Sequence, residues 1–230
     1  LYGFGRIGRL LARMLIETTG PGNYYRLKAI VIRKSKNEDL YKRASLLSRD
    51  SVHGKFSGTV RVDEENSSLV INGNAVKIIY ADSPDDVNYE DYNIFNPIVI
   101  DNTGIWRDHE HLSKHIKCGA SKVILTAPAK GEIKNIVYGI NDSIINKDDS
   151  IISAASCTTN AIVPVLKVLD DKFGIVNGHI ETVHAYTNDQ NLIDNFHKKN
   201  RRGRGAPLNM VITSTGAVNA VAKALPNLKG

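Results

Sequence analysis

Nine residues at the start of the sequence constrain its fold more than any others. Leu1-Tyr2-Gly3-Phe4-Gly5-Arg6-Ile7-Gly8-Arg9 sets glycines at positions 3, 5 and 8, a G-x-G-x-x-G spacing. Any glycine-rich turn can match that spacing, so its surroundings decide its meaning. An amphipathic helical pattern follows, with Ile7, Leu10, Leu11, Met14 and Leu15 assigned to one face, and Thr19-Gly20-Pro21-Gly22-Asn23 stops it. Residues 27–32 then read as a buried strand. Loop, helix and strand in this order form a βαβ unit suited to a dinucleotide. Gly3, Gly5 and Gly8 let the backbone approach a pyrophosphate, whose charge is met by the helix N-terminus. A strand must feed such a loop, and almost none of it precedes Gly3, so the natural chain is expected to start before Leu1.

The end of the second strand bears on the cofactor. NAD-binding folds usually carry Asp or Glu there, accepting hydrogen bonds from the adenosine ribose. Arg33 stands there instead, followed by Lys34, Ser35 and Lys36. A carboxylate would repel a 2′-phosphate, whereas two or three cations and a hydroxyl would bind one. Arg33 and Lys34 are therefore candidate cofactor residues, and NADP is expected to be accepted alongside or ahead of NAD. The other reading leaves them as solvated turn cations beside NAD.

Downstream, 59–63, 69–71 and 76–80 alternate or run apolar, and Asn72-Gly73-Asn74 predicts a hairpin between the last two. Segments 97–101, 122–126 and 136–140 read as further buried strands, with a crossover helix over 109–118. Strands alternating with helices predict a Rossmann-type, doubly wound, mostly parallel sheet over residues 1–155. From residue 156 the character changes. A helix with Ile162, Val165, Leu166 and Leu169 on one face leads to an expected strand over 178–186 and a long polar stretch over 188–205. A loop that long is usually functional or an interface element.

Composition removes several classes. No run of about 18 apolar residues occurs, so no membrane span is expected. Cys118 and Cys157 are the only cysteines, too few for a disulfide framework, which points to a reducing cytoplasm. The formal net charge of +6 is partly local, in Arg33, Lys34 and Lys36 and in Lys198, Lys199, Arg201, Arg202 and Arg204. Such charge suits small phosphorylated ligands. Aromatics do not interleave it, so no dedicated nucleic-acid site is expected. No metal site is expected either.

The chemistry gathers around one thiol. Ser153-Ala154-Ala155-Ser156-Cys157-Thr158-Thr159-Asn160 runs from a strand end into the helix carrying Ile162. A thiol at a helix N-terminus meets unpaired N–H groups and the positive end of the dipole, which favour the thiolate. His184, within Glu181-Thr182-Val183-His184-Ala185-Tyr186-Thr187, supplies a base. Cysteine and histidine far apart in sequence are a common nucleophile arrangement. Cys118, at a helix end before Gly119, reads as a small buried hydrophobe.

Seven segments now form an ordered set: Gly3-Phe4-Gly5-Arg6-Ile7-Gly8-Arg9, Asp50-Ser51-Val52-His53-Gly54, Asp101-Asn102-Thr103-Gly104, Ala127-Pro128-Ala129-Lys130-Gly131, Ser156-Cys157-Thr158-Thr159-Asn160, His184-Ala185-Tyr186-Thr187 and Ser214-Thr215-Gly216-Ala217. Together they resemble the phosphorylating glyceraldehyde-3-phosphate dehydrogenase family, over essentially the whole chain. The resemblance implies Cys157 as nucleophile and His184 as base. It implies Arg6 and Ile7 at the pyrophosphate, and Thr103, Gly104 and Thr126 on the adenosine and nicotinamide sides of the cofactor. Ser156, Thr158, Thr215 and Gly216 would hold the attacking inorganic phosphate. Thr187, Asp189 and Arg202 would hold the phosphate of glyceraldehyde 3-phosphate. Residues 156–230 would be the first part of an α+β catalytic domain, with 188–205 as the loop beside a neighbouring subunit's cofactor in a homotetramer.

Four positions depart from the family's pattern: Tyr2, Ala154 and Ala161, where Asn, Asn and Cys are usual, and Arg33 in place of an acid. Other readings stay open. Erythrose 4-phosphate would meet the same chemistry. An aspartate-semialdehyde dehydrogenase fits the segments around Cys157 and His184 less well. A non-catalytic NAD(P) sensor or RNA-binding protein would not need the intact pair.

Overall fold

The computed structural model of the 230-residue chain describes residues 1–18, 24–33, 39–198, 201–213 and 215–229. They form two compact units, Leu1–Ser156 and Cys157–Gly230.

In the first unit, helix α1 (Arg6–Glu17) buries Gly8, Ala12, Arg13 and Ile16. This corrects the face expected from periodicity, since Ile7 and Met14 are half exposed. The cause is close packing at the glycine loop. A Cβ on Gly8 would lie 2.3 Å from the Gly3 carbonyl oxygen, so the Gly8 face of the helix must turn inward, and Ala12 and Ile16 along it go with it. Strand β1 (Ala29–Ile32) follows, buried at all four residues, as an apolar run covered on both faces should be. Helix α2 (Asp39–Ser48) buries only Ala44 and Leu47, too few to stand out as a periodic pattern. Two short strands, β2 (Arg49–Asp50) and β3 (Gly54–Lys55), pair next to it.

An antiparallel meander comes next: β4 (Val60–Asp63), β5 (Ser68–Ile71) and β6 (Asn74–Tyr80). The expected hairpin is present. Asn72 and Gly73 have φ of 47° and 79°, the two positive values of a type I′ turn, and Ile71 pairs with Asn74. Strand β6 also pairs in parallel with β1. Then β7 (Ile98–Asp101), helix α3 (His109–Lys117), β8 (Lys122–Leu125) and β9 (Ile151–Ser153) make a parallel three-stranded group.

One residue joins the two groups of strands. Tyr2 bridges in parallel to Val31 and to Asp101, its N–H donating to the Ile100 carbonyl at 2.9 Å and its carbonyl accepting from Asn102 at 2.7 Å. The order is therefore β4-β5-β6-β1-Tyr2-β7-β8-β9, with the parallel strands at its centre. The strand expected over 136–140 is absent. Asn135 makes a single bridge to Ser153, and then Asn141 takes over the backbone: its Oδ1 accepts from Val137 N at 2.7 Å and its Nδ2 donates to Asn135 O at 3.0 Å. Gly139 completes the turn with φ 77°. Ile30, Leu47, Leu69, Ile71, Leu112, Val123 and Leu125 are fully enclosed. Each such side chain contributes about 1.5–3 kcal/mol.

The second unit holds helix α4 (Cys157–Phe173) and helix α5 (Ala217–Ala224), which pack on each other. Helix α4 buries Thr159 and Val163, whereas Val165 and Leu169, expected inside, are exposed. Pro164 lies within it and has no N–H to give the Asn160 carbonyl. The strand expected over 178–186 is also absent, and those residues are almost all exposed. A strand needs a partner to satisfy its backbone, and no described strand of this unit supplies one. Residues 188–198 and 201–205 run as turns and irregular chain, as expected.

Candidate active site

The first unit gathers most of the expected cofactor residues at the carboxyl ends of its parallel strands. Gly3 has φ 93°, and a Cβ on it would meet Thr103 Cγ2 at 3.0 Å and Thr103 N at 3.1 Å. The glycine loop and the turn after β7 are thus interlocked. Thr103 N and Oγ1 both donate to Asp101 Oδ1 at 2.7 Å, and Gly104 turns with φ 66°. Thr126 Oγ1 donates to Asp101 O and to Asn102 Oδ1, each at 3.2 Å.

Gly5 precedes α1 with no side-chain cap, and a Cβ there would meet nothing within 4 Å. An open, uncapped helix start suits the phosphates of a dinucleotide. Arg6 leans onto Asp50, with Nε 3.2 Å from Oδ2, and Arg9 joins at 3.6 Å. Bonds from the backbone N–H groups of Val52 and His53, then from the His53 and Arg6 side chains, hold the Asp50 carboxyl well below the usual range. Ile7 is half exposed at the start of the helix. Arg33 follows β1, exposed, its carbonyl accepting from Arg43 at 3.1 Å. Lys34, with Ser35 and Lys36, lies outside the described residues.

In the second unit, Cys157 is the first residue of α4. Its Sγ lies 3.2 Å from His184 Nε2, and His184 Nδ1 donates to the Ala185 carbonyl at 2.7 Å. That carbonyl can only accept, so it fixes the ring with Nε2 toward the sulfur. The contact with His184 pulls the Cys157 thiol below its ordinary value, assisted by Thr158 and opposed by partial burial. The same contact, then the Ala185 bond, raises His184. Both shifts favour a thiolate beside an imidazolium. Cys118 behaves oppositely: burial, then Asp85 and Asp86, push its thiol up.

Asp189 and Arg202 pair at 2.6 Å, and the Arg202 charge opposes protonation of His184. Thr187 N donates to Gln190 Oε1 at 3.1 Å. Thr215 Oγ1 accepts from Ala217 N at 3.2 Å, and Gly216 precedes α5 without a side-chain cap. The described contacts do not link Thr187, Thr215 or Gly216 to Cys157. Ser156 ends the first unit. Sequence reasoning passed over Asp101 and Ala185. Asp two residues before Thr at a strand end is a turn signal that would have found the first. Nothing in the sequence marks the carbonyl of Ala185. Among the described residues no His, Cys, Asp and Glu cluster suits a metal, and no helix is long and apolar enough to cross a membrane.

A glycine-loop cradle on a Rossmann-type sheet, and a thiol set against histidine at a helix start, define a nucleotide-binding α/β protein with an activated cysteine. Comparison narrows this. Residues 1–109 match the glyceraldehyde 3-phosphate dehydrogenase NAD binding domain, and 156–230 match the C-terminal domain of the same family. A glyceraldehyde-3-phosphate dehydrogenase-like protein of Pseudomonas aeruginosa is 66% identical over 100% of this chain and 50% of its own length. A glyceraldehyde-3-phosphate dehydrogenase of Thermotoga maritima is 43% identical over 96% of this chain and 64% of its own length. The chloroplastic glyceraldehyde-3-phosphate dehydrogenase A of Scenedesmus vacuolatus is 44% identical over 99% of this chain and 70% of its own length. The chain belongs to the glyceraldehyde-3-phosphate dehydrogenase family. It spans about half the length of the Pseudomonas relative.

Proposed function

We propose that the protein oxidises glyceraldehyde 3-phosphate, with inorganic phosphate, to 1,3-bisphosphoglycerate. The observation that carries this reading is the 3.2 Å approach of Cys157 Sγ to His184 Nε2 at the start of α4. His184 takes the thiol proton, and the thiolate attacks the aldehyde carbon to give a thiohemiacetal. The Nε2–H of His184 and the backbone N–H of Cys157 donate to the developing oxyanion. That Nε2 proton passes to the oxygen to complete the thiohemiacetal hydroxyl, and the now neutral His184 takes it back as hydride leaves the carbon. A nicotinamide dinucleotide held in the Gly3–Gly8 cradle, with Thr103, Gly104 and Thr126, supplies the hydride acceptor. The product on Cys157 is a thioester. Inorganic phosphate attacks its carbonyl, the C–S bond breaks, and the thiolate returns.

Ser156, Thr158, Thr215 and Gly216 are proposed for the attacking phosphate, as hydroxyls and N–H groups that bind an anion without adding charge. Thr187, Asp189 and Arg202 are proposed for the substrate phosphate, with Asp189 aiming the Arg202 guanidinium. Exposed Arg33 supports use of NADP as well as NAD. The outward-facing Leu192, Ile193 and Phe196 support a homotetramer built on this loop. The two free thiols support a cytoplasmic setting.

The test uses the protein at its natural full length, with glyceraldehyde 3-phosphate and phosphate, following absorbance of the reduced cofactor. Turnover that needs phosphate and disappears in Cys157→Ser is the expected result. A hundredfold loss with NADP relative to NAD, about 2.7 kcal/mol, would remove the argument from Arg33. Activity only with erythrose 4-phosphate, or with neither sugar, would overturn the substrate.

A further inference from the structure

A buried acid and a buried histidine stand behind the cradle, and the proposed chemistry uses neither. Asp101 and His115 are both fully enclosed. His115, on α3, sets Nε2 3.4 Å from Asp101 Oδ2, while the Tyr89 hydroxyl lies 3.5 Å from Nδ1. Burial holds the Tyr89 hydroxyl protonated, so it can donate to Nδ1. A carboxylate only accepts, so His115 gives Nε2–H to Asp101. The other oxygen, Oδ1, takes both the N–H and the hydroxyl of Thr103 at 2.7 Å. Thr103 in turn touches Gly3, where even a Cβ would collide. The Tyr2 ring meets His115 edge-on, with centroids 4.7 Å apart.

A solvent-free carboxylate is costly unless its lone pairs are filled. Here the four groups form one chain, Tyr89 to His115 to Asp101 to Thr103, ending on the turn that closes the glycine loop. We infer that Asp101 and His115 are positioning residues for the dinucleotide: they hold the Thr103 turn, and through it the Gly3 backbone, in the shape that receives the cofactor. The inference rests on the dinucleotide reading of that cradle.

Trp106, three residues after Thr103, is the only tryptophan and gives a direct reporter. In the full-length protein, NAD is titrated against Trp106 fluorescence for wild type, His115→Gln and His115→Leu. Glutamine keeps a donor for Asp101, and leucine keeps only apolar volume. Positioning requires the glutamine variant to bind NAD within about threefold of wild type and the leucine variant at least fivefold more weakly. KM for the aldehyde should stay within twofold in both. A packing role gives the reverse order, with leucine at least as good as glutamine, and would overturn the inference. Should the leucine variant fail to fold, Tyr89→Phe carries the test, because it removes the hydroxyl that donates to His115 Nδ1 and touches no residue proposed to bind the cofactor. Unchanged NAD affinity there overturns the inference, and a loss of about threefold supports it. Absence of saturable NAD binding by the wild type would instead sink the dinucleotide reading, and the inference with it.

Discussion

The two units treat their apolar residues in opposite ways. In the first, β1 is buried along its whole length and Leu47, Leu69, Ile71, Leu112, Val123 and Leu125 are sealed. In the second, Val165, Phe173, Val176, Val183 and Phe196 face outward. The cradle is thus a product of collective packing. Gly3 and Gly8 are fixed because the turn after β7 and the glycine loop itself leave no room for a side chain. The thiol pair is a product of local chemistry: a helix start, one 3.2 Å contact and one backbone carbonyl. Binding geometry is bought wholesale by a core, whereas reactivity is assembled from a few neighbours.

The sharpest way to break this division is to damage each unit separately. Cys157→Ser should abolish turnover, by a factor on the order of 10⁴ or more, while NAD affinity from Trp106 fluorescence changes less than twofold. A parallel loss of NAD affinity would mean that the cradle depends on the thiol. Next in size is core damage. Leu69→Ala, at a fully buried site, should cost about 2–5 kcal/mol in urea unfolding, against less than about 0.5 kcal/mol for Val165→Ala. Equal costs would show that the exposed face of α4 is covered in the working protein.

Gly8→Ala inverts the first experiment. Its Cβ would lie 2.3 Å from the Gly3 carbonyl, so NAD affinity should fall by roughly a hundredfold, with the rate of Cys157 alkylation unchanged. The smallest effect concerns pH. Alkylation of Cys157 by iodoacetamide tracks the thiolate. Because His184 lowers the thiol, the wild-type rate should rise through an inflection below the ordinary thiol value, and His184→Gln should move that inflection upward. The sign is fixed by the pair. Its mutual stabilisation is lost at low pH as the lowered thiol regains its proton, and at high pH as the raised His184 loses its own. An unmoved inflection would transfer the credit from His184 to the helix start.

The same contrast explains how much was legible beforehand. The glycine loop, the Asn72-Gly73 turn and the strands β1, β4 to β6, β7 and β8 could be read because each follows from local turn chemistry or a short apolar run. Residues 136–140 misled because Asn141 captures the backbone after one bridge, a contest between side chain and sheet that periodicity does not register. Residues 178–186 misled because strand character is a property of two segments, and a single run of β-prone residues reports only one. On α1, Ile7 and Met14 looked like core, yet the close approach at Gly8 turns the face of Gly8, Ala12 and Ile16 inward instead. Cys157 and His184 could be named from their segments. The Ala185 carbonyl and the Asp101 carboxylate that steady their respective sites could not, because one is backbone and the other acts through a neighbour.

Pro164 gives α4 a further property, one of connection. Every backbone amide from residue 161 onward can return a bond to the preceding turn except this one. The turn that carries Cys157 is thus tied to the rod behind it by three backbone bonds, and the ladder then skips a rung. The thiol end of α4 and residues 165–173 are therefore joined across a missing backbone bond at Pro164.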